Sequence, residues 1–566
     1  MTTYSEKPWL GSYDPGVPEY VEIPESQTFK DILEKSIRAL PDRAALHFMG
    51  ATMSFRQMDA LSARMANFLG KCGLGPGDVI ALHMPNLPQY LIGLLASIRT
   101  GTASTGVSML LKPSELVHQI NDSGAKLLIT LDMFFEQTLL PVADKMPGLE
   151  TVVVGSVADY LPPAKAVLGR LLKKIPSGKV TSLAGKKVLR FKDVVAGHSP
   201  EVPKNAISKD DPVLIQYTGG TTGLPKGVVL THGNMVANFH QVRVWTEFED
   251  GKDVFCSGFP FFHQAGQAFS LAALGTSNTQ CLIPDPRNTG HIAGEIKKHK
   301  ATIVAMVPTL YHMLMDDPRF CGLDFGNVRA CISGAAPFSK AGLEALEAIV
   351  GKGKIIEVYG MTETSPLITA NPYVGQGRVG SVGLPLPNTL VKVMDVETGQ
   401  TEMPIGQEGE LALSGPQVMA RYHNKESETA HALRRLNGHT WLFTGDVVRM
   451  DAQGFVYICD RAKDMLNVGG FKVFSREVEE KLIRIPEVEF CAIVGVPNEK
   501  RPGSDIVKAV IQLTAQAQAE DPAAVEENIK AFCRENLAAY KVPKLIEFTD
   551  AIPLTAVGKV DKKLLR

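Results

Sequence analysis

Residues 217–232, YTGGTTGLPKGVVLTH, contain the donors that an anion-binding loop needs. Glycines adopt positive φ without steric cost, so their backbone N–H groups can face an anion, while threonine hydroxyls and a lysine ammonium add further donors. The run therefore predicts a polyphosphate loop; on residue types alone, the alternative is a flexible surface turn. Its donors are Thr218, Gly219, Gly220, Thr221, Thr222, Gly223 and Lys226.

This loop differs from a Walker A loop, in which Gly-Lys-Ser/Thr opens a helix. Here Pro225 precedes Lys226 and Gly227 follows it. The apolar residues on both sides predict a loop between two strands, with a helix starting at Thr231.

A second candidate segment is VYGMTET (358–364), which follows an apolar run. Tyr359 offers a stacking surface, Thr362 a phosphate donor and Glu363 an oxygen ligand for Mg²⁺.

Three more segments place single polar residues at predicted turns. LFTGD (442–446) ends an apolar run in Asp446, whose carboxylate can accept both ribose hydroxyls. Arg461 lies in DRAKD at a predicted domain junction, and Lys559 lies on the glycine-containing turn TAVGKV. Each segment alone is compatible with an ordinary turn.

The elements that must position these residues alternate along the chain. Short apolar runs at 213–218, 301–307, 329–334 and 354–360 each end at Gly, Thr or Pro and are separated by helical patterns. This alternation predicts an α/β fold with substantially parallel sheets, whose ligand sites lie beyond the carboxyl ends of strands.

The pattern changes near residue 460. A helix over 475–485 with Ser475 as N-cap, strands at 491–496 and 508–513 and a helix over 523–537 predict a small α+β domain. We therefore predict a large N-terminal α/β domain over 1–460 and a small C-terminal domain over 461–566.

The length and composition of the chain limit which classes of protein it can belong to. A chain of 566 residues exceeds the size of one core, and a net charge of -1 with 21% charged residues is not that of a nucleic-acid-binding protein. The eight cysteines are scattered, so a disulfide framework or structural metal is not expected. The polar N-terminus and the lack of long apolar runs favour a cytoplasmic protein.

Residues 165–192 are locally basic. They include nine Lys or Arg and no Asp or Glu, and AVLGRLLKKI (166–175) has apolar and basic residues at helical spacing. The functional interpretation is a peripheral contact with anionic lipid at the inner membrane face. The alternative is a solvated surface insertion.

Taken together, in this order and spacing, these segments resemble the adenylate-forming superfamily, which includes acyl-CoA synthetases, luciferases and adenylation domains. The resemblance covers essentially the whole chain. It is closest to long-chain fatty acyl-CoA ligases, through KPWLGSYDPGVP, PLITANPY, VGLPLPN, SGPQVMARYHN and AYKVPKLIEFTDAIPLTAVGK.

The resemblance implies an ATP- and Mg²⁺-dependent acid:CoA ligase. The acid, with a medium- or long-chain fatty acid expected, is converted to an acyl adenylate with loss of pyrophosphate, and coenzyme A then takes the acyl group with release of AMP. The implied catalytic residues are Lys559, Glu363, Thr218 and Lys226, with Glu363 and Thr218 at the metal.

The resemblance assigns the remaining site residues to different parts of the ligands. Tyr359 stacks on adenine opposite the SGAAP turn (333–337), Asp446 and Arg461 bind the ribose, and His263 lies in the acyl pocket. The large N-terminal domain is implied to consist of layered α/β subdomains, and the small C-terminal domain to be mobile, with Lys463 as its hinge. Further implied contacts come from Gly334, Ala335, Ala336, Glu357, Gly360 and, along the pantetheine channel, Gly469 and Gly470.

Several positions depart from the superfamily pattern. Gln267 stands where some long-chain members have a gating tryptophan, Ala335 where glycine is usual, and Ser475 where proline is common. Residues 439–440 are an insertion that the sequence alone does not explain.

Other functions stay open at this stage. The acid can be aryl or alicyclic, the acceptor can be a carrier protein, and the chain can be an acyl-nucleotide binding module without activity. Retention of Glu363, Asp446, Arg461 and Lys559 together speaks against the last. The sequence leaves open a homodimer and the physiological direction of the reaction.

Overall fold

The computed structural model describes residues 3–218, 225–336, 338–375, 377–469, 471–499, 501, 504–555 and 560–566. The first stretch of the chain alternates helices and short strands. These elements are α1 (Phe29–Ala39), β1 (Ala44–Phe48), β2 (Ala51–Ser54), α2 (Phe55–Lys71), β3 (Val79–His83), α3 (Pro88–Thr100), β4 (Ala103–Gly106), α4 (Pro113–Ser123), β5 (Ala125–Leu131), α5 (Asp132–Phe134), β6 (Thr151–Gly155), α6 (Pro163–Leu171), β7 (Lys187–Arg190) and α7 (Phe191–Ala196).

The middle of the chain continues the alternation and carries most of the predicted site. Its elements are β8 (Pro212–Thr218), β9 (Lys226–Thr231), α8 (His232–Thr246), β10 (Val254–Ser257), α9 (Gln264–Gly275), β11 (Thr279–Leu282), α10 (Thr289–His299), β12 (Ile303–Met306), α11 (Pro308–Met315), α12 (Pro318–Cys321), β13 (Ala330–Ser333), α13 (Lys340–Val350), β14 (Ile355–Gly360), β15 (Leu367–Ala370) and β16 (Leu384–Pro385).

The last stretch is richer in strands. Its elements are β17 (Leu390–Met394), β18 (Glu408–Ser414), β19 (Arg421–Tyr422), α14 (Glu426–Ala432), β20 (Leu433–Leu436), β21 (His439–Met450), β22 (Val456–Arg461), β23 (Leu466–Val468), β24 (Phe471–Val473), α15 (Ser475–Leu482), β25 (Val488–Pro497), β26 (Asp505–Leu513), α16 (Pro522–Asn536) and β27 (Leu545–Phe548).

Among the described residues, two large mixed sheets form the bulk of the molecule. One has the strand order β16-β15-β14-β13-β12-β10-β11-β1-β2, and the other β19-β9-β8-β4-β3-β5-β6-β7. Their inner strands are parallel, as the alternating pattern predicts, and antiparallel strands lie at the edges. Buried Val, Ile and Leu fill both faces, which is typical of parallel strands covered by helices.

An antiparallel sheet of β17, β18, β21, β20 and β22 leads to the C-terminal part. Asn437 and Gly438, both with positive φ, form the two-residue turn between β20 and β21. Such an Asn-Gly turn matches the twist of the strands it joins. The inserted residues 439–440 therefore extend this hairpin.

The C-terminal part has a core of its own. Buried apolar residues between Leu466 and Cys533 form one cluster around β25, β26, α15 and α16. This matches the predicted small α+β domain. The boundary at 460/461 stays a prediction, and β22 runs across it.

Two local predictions were wrong. Ser475 is the first residue of α15 and does not cap it, because Phe474 is the N-cap and the Ser475 hydroxyl donates to Asp460. Asp446 does not end its strand, since β21 continues to Met450.

None of the helices in the described ranges combines the length and the apolar composition that crossing a membrane requires.

Candidate active site

One cavity, with a volume of about 1660 Å³, collects the predicted site residues that the structure describes, apart from Gly469. It lies at the carboxyl ends of β8, β13 and β14, where an α/β sheet is expected to bind ligands. The predicted residues that line it are Thr218, Lys226, His263, Gly334, Ala335, Ala336, Glu357, Tyr359, Gly360, Thr362, Glu363, Asp446, Arg461 and Lys463.

The predicted phosphate loop joins two antiparallel strands. Thr218 ends β8, Lys226 begins β9, and the two residues are paired in register. The prediction of a loop between strands is confirmed. Helix α8 then starts where Thr231 accepts from the N–H of Asn234 in a capping box, as its sequence predicts. The loop residues Gly219, Gly220, Thr221, Thr222 and Gly223 lie outside the described residues.

Lys226 has two contacts that sequence reasoning missed. Its ammonium pairs with Glu428 on α14 and lies 5.2 Å from the centre of the Tyr422 ring. About a third of each side chain of the ion pair is exposed. Glu428 and Tyr422 lie about 200 residues from Lys226 in the sequence, so the sequence carries no local signal for these contacts.

Glu363 lies in the short 3-10 turn Thr362–Thr364 that follows β14. The Tyr422 hydroxyl donates to Glu363 Oε1 at 2.8 Å. Burial raises the pKa of the Glu363 carboxyl, which this hydrogen bond opposes. A Cβ at Gly360 would lie 2.0 Å from the Pro366 carbonyl oxygen, so only glycine fits between β14 and this turn.

Asp446 is held from two sides. The Tyr359 hydroxyl donates to Oδ2 at 2.6 Å, and Arg461 Nε lies 2.9 Å from Oδ1. Asp446 and Arg461 are direct partners in the β21–β22 pairing. The Asp446 carboxylate also raises the pKa of the Arg461 guanidinium.

The turn after β13 forms another wall of the cavity. Gly334 packs so closely on Val358 that an added Cβ would lie 2.8 Å from its side chain. Ala335 has φ 66°, a left-handed conformation that costs an L-residue energy and explains why glycine is usual there. Pro337 lies outside the described residues.

Glu357 on β14 is another acidic residue that lines the cavity. Burial raises the pKa of its carboxyl to about 7, against a hydrogen bond that it accepts from the Gly380 N–H at 3.3 Å.

The cavity extends as an apolar arm between α8 and α9. Met235, Phe239, Val242 and Trp245 face it from α8, and Ala265, Ala268, Leu271 and Ala272 face it from α9. Trp245 Nε1 donates to the Asn371 carbonyl at 2.9 Å, which fixes its ring.

His263 caps α9, since its Nδ1 accepts from the Ala265 N–H at 3.3 Å. It therefore has a structural contact as well as a place in the cavity wall. Gln267 is fully buried and donates to the Tyr90 hydroxyl at 2.7 Å. Ala268, its neighbour, faces the arm.

The C-terminal part closes the cavity from the other side. Lys463 lines it, and burial and the nearby Arg461 charge lower the pKa of its ammonium. Thr555 and Val560 line it as well. Lys559 and Gly470 lie outside the described residues. Gly469 adopts φ 60° in the β23–β24 turn, where its N–H donates to Ser504 Oγ at 2.8 Å.

Two family models match the chain. The AMP-binding enzyme model matches residues 33–423, and the AMP-binding enzyme C-terminal domain model matches residues 477–559.

Similar proteins cover nearly the full length. The long-chain-fatty-acid–CoA ligase of Bacillus subtilis (strain 168) is 35% identical over 576 residues, spanning 99% of this chain and 98% of that protein. The enzyme of the same name from Escherichia coli O6:H1 is 34% identical over 566 residues, with the same coverage. Feruloyl-CoA synthase from Amycolatopsis sp is 31% identical over 534 residues, 94% of this chain and 96% of that protein.

Solved structures agree on the fold. The anthranilate CoA ligase AuaEII in complex with anthranoyl-AMP has a TM-score of 0.82 at 25% identity, covering 96% of this chain and 97% of that one. ATP-bound MatB from Rhodopseudomonas palustris has a TM-score of 0.78 at 26% identity, covering 95% and 98%. The predicted fold, a large N-terminal domain followed by a smaller C-terminal one, is confirmed. With its sheets, its cavity and both family models in agreement, the chain belongs to the AMP-binding enzyme family.

Proposed function

We propose that the chain is a fatty acid:CoA ligase that uses ATP and Mg²⁺, forms an acyl adenylate with release of pyrophosphate, and transfers the acyl group to CoA with release of AMP. One observation carries this proposal: the same cavity contains hydrogen-bond donors that can bind phosphate, a group of carboxylates, and a long apolar arm. The full-length relatives named long-chain-fatty-acid–CoA ligase support it.

The nucleotide end of the cavity supports these roles. The loop from Thr218 to Lys226 and the Thr362 hydroxyl bind phosphate, while Asp446 and Arg461 bind the ribose. The contacts that hold Asp446 leave acceptor capacity on both of its oxygens. Tyr359 and the Gly334–Ala336 turn form the two walls of the adenine site.

The residues present also fit a magnesium ion. Mg²⁺ in phosphoryl-transfer sites is bound through one or two carboxylates together with substrate phosphates. Glu363 offers one buried carboxylate, and a bound cation favours its charged form against the effect of burial. Thr218 adds a hydroxyl at the same end of the cavity. The ion, when bound, neutralises phosphate charge.

For the acyl transfer, we propose that Lys559 contacts the reacting carboxylate during adenylation and then leaves as the C-terminal domain turns about Lys463. The Gly469–Gly470 turn then lines the path of pantetheine. In support, Thr555 and Val560, on either side of residues 556–559, both line the cavity.

The apolar arm favours a fatty acid over an aryl acid. Its walls are aliphatic and aromatic along two helices, and small alanines on α9 keep it open. Aryl acids stay the second candidate, because relatives include feruloyl-CoA synthase and anthranilate CoA ligase.

Acid-dependent exchange of pyrophosphate into ATP tests the adenylation step. We expect exchange with medium- and long-chain fatty acids and AMP release that rises when CoA is added. Faster exchange with benzoate-like acids would favour the aryl alternative. AMP release that CoA does not stimulate would favour a carrier protein, and no exchange with any acid would contradict the proposal.

We further propose that residues 165–192 contact an anionic membrane surface. Helix α6 buries none of its residues, and four large apolar side chains in α6 and its C-cap are exposed: Val167 by 59%, Leu168 by 57%, Leu171 by 75% and the C-cap Leu172 by 54%. Exposed apolar side chains in a segment whose charged residues are all basic fit an anionic bilayer surface.

Co-sedimentation with vesicles tests this contact. We expect the protein to bind vesicles that contain phosphatidylglycerol, with binding that falls as salt rises, and not to bind pure phosphatidylcholine. Leu171→Ser with Leu172→Ser should abolish binding. Leu110→Ser is the matched control, because Leu110 is an equally exposed leucine outside the segment. Equal binding by both variants would overturn the assignment.

A further inference from the structure

Ser475 joins the two sides of the predicted hinge. Its N–H donates to Asp460 Oδ2, and its hydroxyl donates to Asp460 Oδ1 at 3.0 Å. Both residues are buried. Asp460 lies on β22, three residues before Lys463, whereas Ser475 begins α15 beyond it. A rotation about Lys463 therefore has to break these bonds.

The same serine also holds the end of the chain. Lys562 Nζ donates to Ser475 Oγ at 2.6 Å and lies 2.7 Å from Glu479 Oε1. A hydroxyl can donate to one group and accept from another, so both contacts of Ser475 Oγ form together. Lys562 lines the cavity beside Val560. The contacts thus run without a break from β22 through α15 to the C-terminal segment.

Neighbouring groups reinforce this connection. Arg476 Nη1 donates to the Ile458 carbonyl at 3.0 Å, a second tie between α15 and β22. Burial raises the pKa of the Asp460 carboxyl, and the Lys562 charge opposes that shift. Removing the donors would leave a buried carboxylate short of partners, which is costly.

Proline, which is common at position 475 in the superfamily, cannot make the main-chain bond because it has no N–H. The serine in this chain therefore adds two hydrogen bonds across the predicted hinge.

Resting on the proposed function, we propose that Ser475 is a positioning residue for adenylation: it holds the C-terminal segment at the cavity while the adenylate forms, and it must release Asp460 before thioester formation. Its role is to set the balance between the two half-reactions.

Three variants weaken the Ser475–Asp460 contact to different degrees. Ser475→Ala removes the hydroxyl and keeps the N–H, whereas Ser475→Pro removes both donors. Proline is well tolerated as the first residue of a helix, and Phe474 is already extended at φ -81°, ψ 118°, as a residue before proline must be. Asp460→Asn removes the charge from the other partner.

The half-reactions are measured separately. We expect acid-dependent pyrophosphate exchange to fall by about threefold in Ser475→Ala and by about tenfold or more in Ser475→Pro and Asp460→Asn. Thioester formation from supplied acyl adenylate and CoA should be unchanged or faster. Equal losses in both half-reactions, or no loss in either, would overturn the proposal.

Trypsin cleavage after Arg461 and Lys463 gives a readout without activity. We expect Ser475→Pro to be cut there several times faster than the unaltered protein, and an unchanged rate would refute the proposal even if the enzyme proved inactive. Asp521→Ala is the control: it removes the cap of α16 in the same domain without touching β22. If the unaltered protein shows no pyrophosphate exchange with any acid, the proposed function fails, while the cleavage rates still decide whether Ser475 holds α15 to β22.

Discussion

Glu357 is a carboxyl group whose neutral form is favoured by burial in the nucleotide-free protein, with a pKa raised to about 7 from 4.5. A raised carboxyl pKa contributes stability that is fully present below pH 4.5 and is lost as the pH rises through 7.

Glu357→Gln should remove this dependence. We expect the unaltered protein to lose ~1–3 kcal/mol of unfolding free energy relative to the variant between pH 4.5 and pH 8. Thermal melts of both proteins without nucleotide, over that range, measure the difference. A constant difference would mean that Glu357 titrates normally.

Glu428 forms an ion pair with Lys226, the lysine that the proposed function assigns to phosphate binding. Because the pair is about one-third exposed, its free energy is small, and an exposed pair contributes at most about 1 kcal/mol. Glu428→Gln should therefore lower the KM for ATP by up to about fivefold with little change in kcat.

Steady-state kinetics with ATP varied measure this effect. Glu426→Gln is the control, because Glu426 is exposed on the same helix. A KM that rises in Glu428→Gln would show that Glu428 assists ATP and does not compete with it.

At the scale of elements, we expect α9 to limit the length of acid that the proposed acyl arm accepts. Its face toward the cavity carries Ala265, Ala268 and Ala272, spaced three and four residues apart on one side of the helix. Small side chains there leave the arm open, and a large one would close it.

Ala268→Phe should lower kcat/KM for a 16-carbon acid by at least about tenfold while leaving a 6-carbon acid within about twofold, since one blocked pocket contact is worth about 1–3 kcal/mol. The short acid serves as the control within the same enzyme. Equal losses for both acids would indicate a disturbed helix. No loss for either acid would show that the acyl chain of the substrate does not bind in this arm.

How far the sequence predicted these elements depends on the range of the contacts. The strands around the loop and β14 follow from local apolar runs, and the Thr231 cap follows from a four-residue motif. Ser475 was assigned wrongly because its partners, Asp460 and Lys562, are 15 and 87 residues away. Local patterns singled out Asp446 as a carboxylate after an apolar run and Arg461 as a residue at a domain junction, and the resemblance assigned both to the ribose. Their direct pairing is visible only in the sheet.

At the scale of the whole molecule, the predicted hinge lies where the two parts share the cavity. The turn that contains Lys463 is held by the N–H groups of Ala462, Asp464 and Met465, and the Lys463 carbonyl accepts from Arg566. A proline at 463 restricts this one backbone position.

Lys463→Pro should therefore spare adenylation and impair thioester formation by about tenfold or more. Pyrophosphate exchange and acyl-CoA formation from supplied adenylate measure the two steps. Lys463→Ala, which keeps the backbone free, is the control. Equal loss of both steps in Lys463→Pro would count against a hinge at this residue.

Trp245 gives the molecule a built-in optical probe. Of the three tryptophans, Trp9 and Trp441 are buried away from the cavity, whereas the Trp245 ring is fixed on the wall of the apolar arm. Trp245 is itself buried, so we expect an acid that enters the arm to pack against this indole and to shift its emission by changing the polarity around the ring. Tryptophan emission would then report the occupancy of the proposed acyl site in real time, without label, nucleotide or turnover.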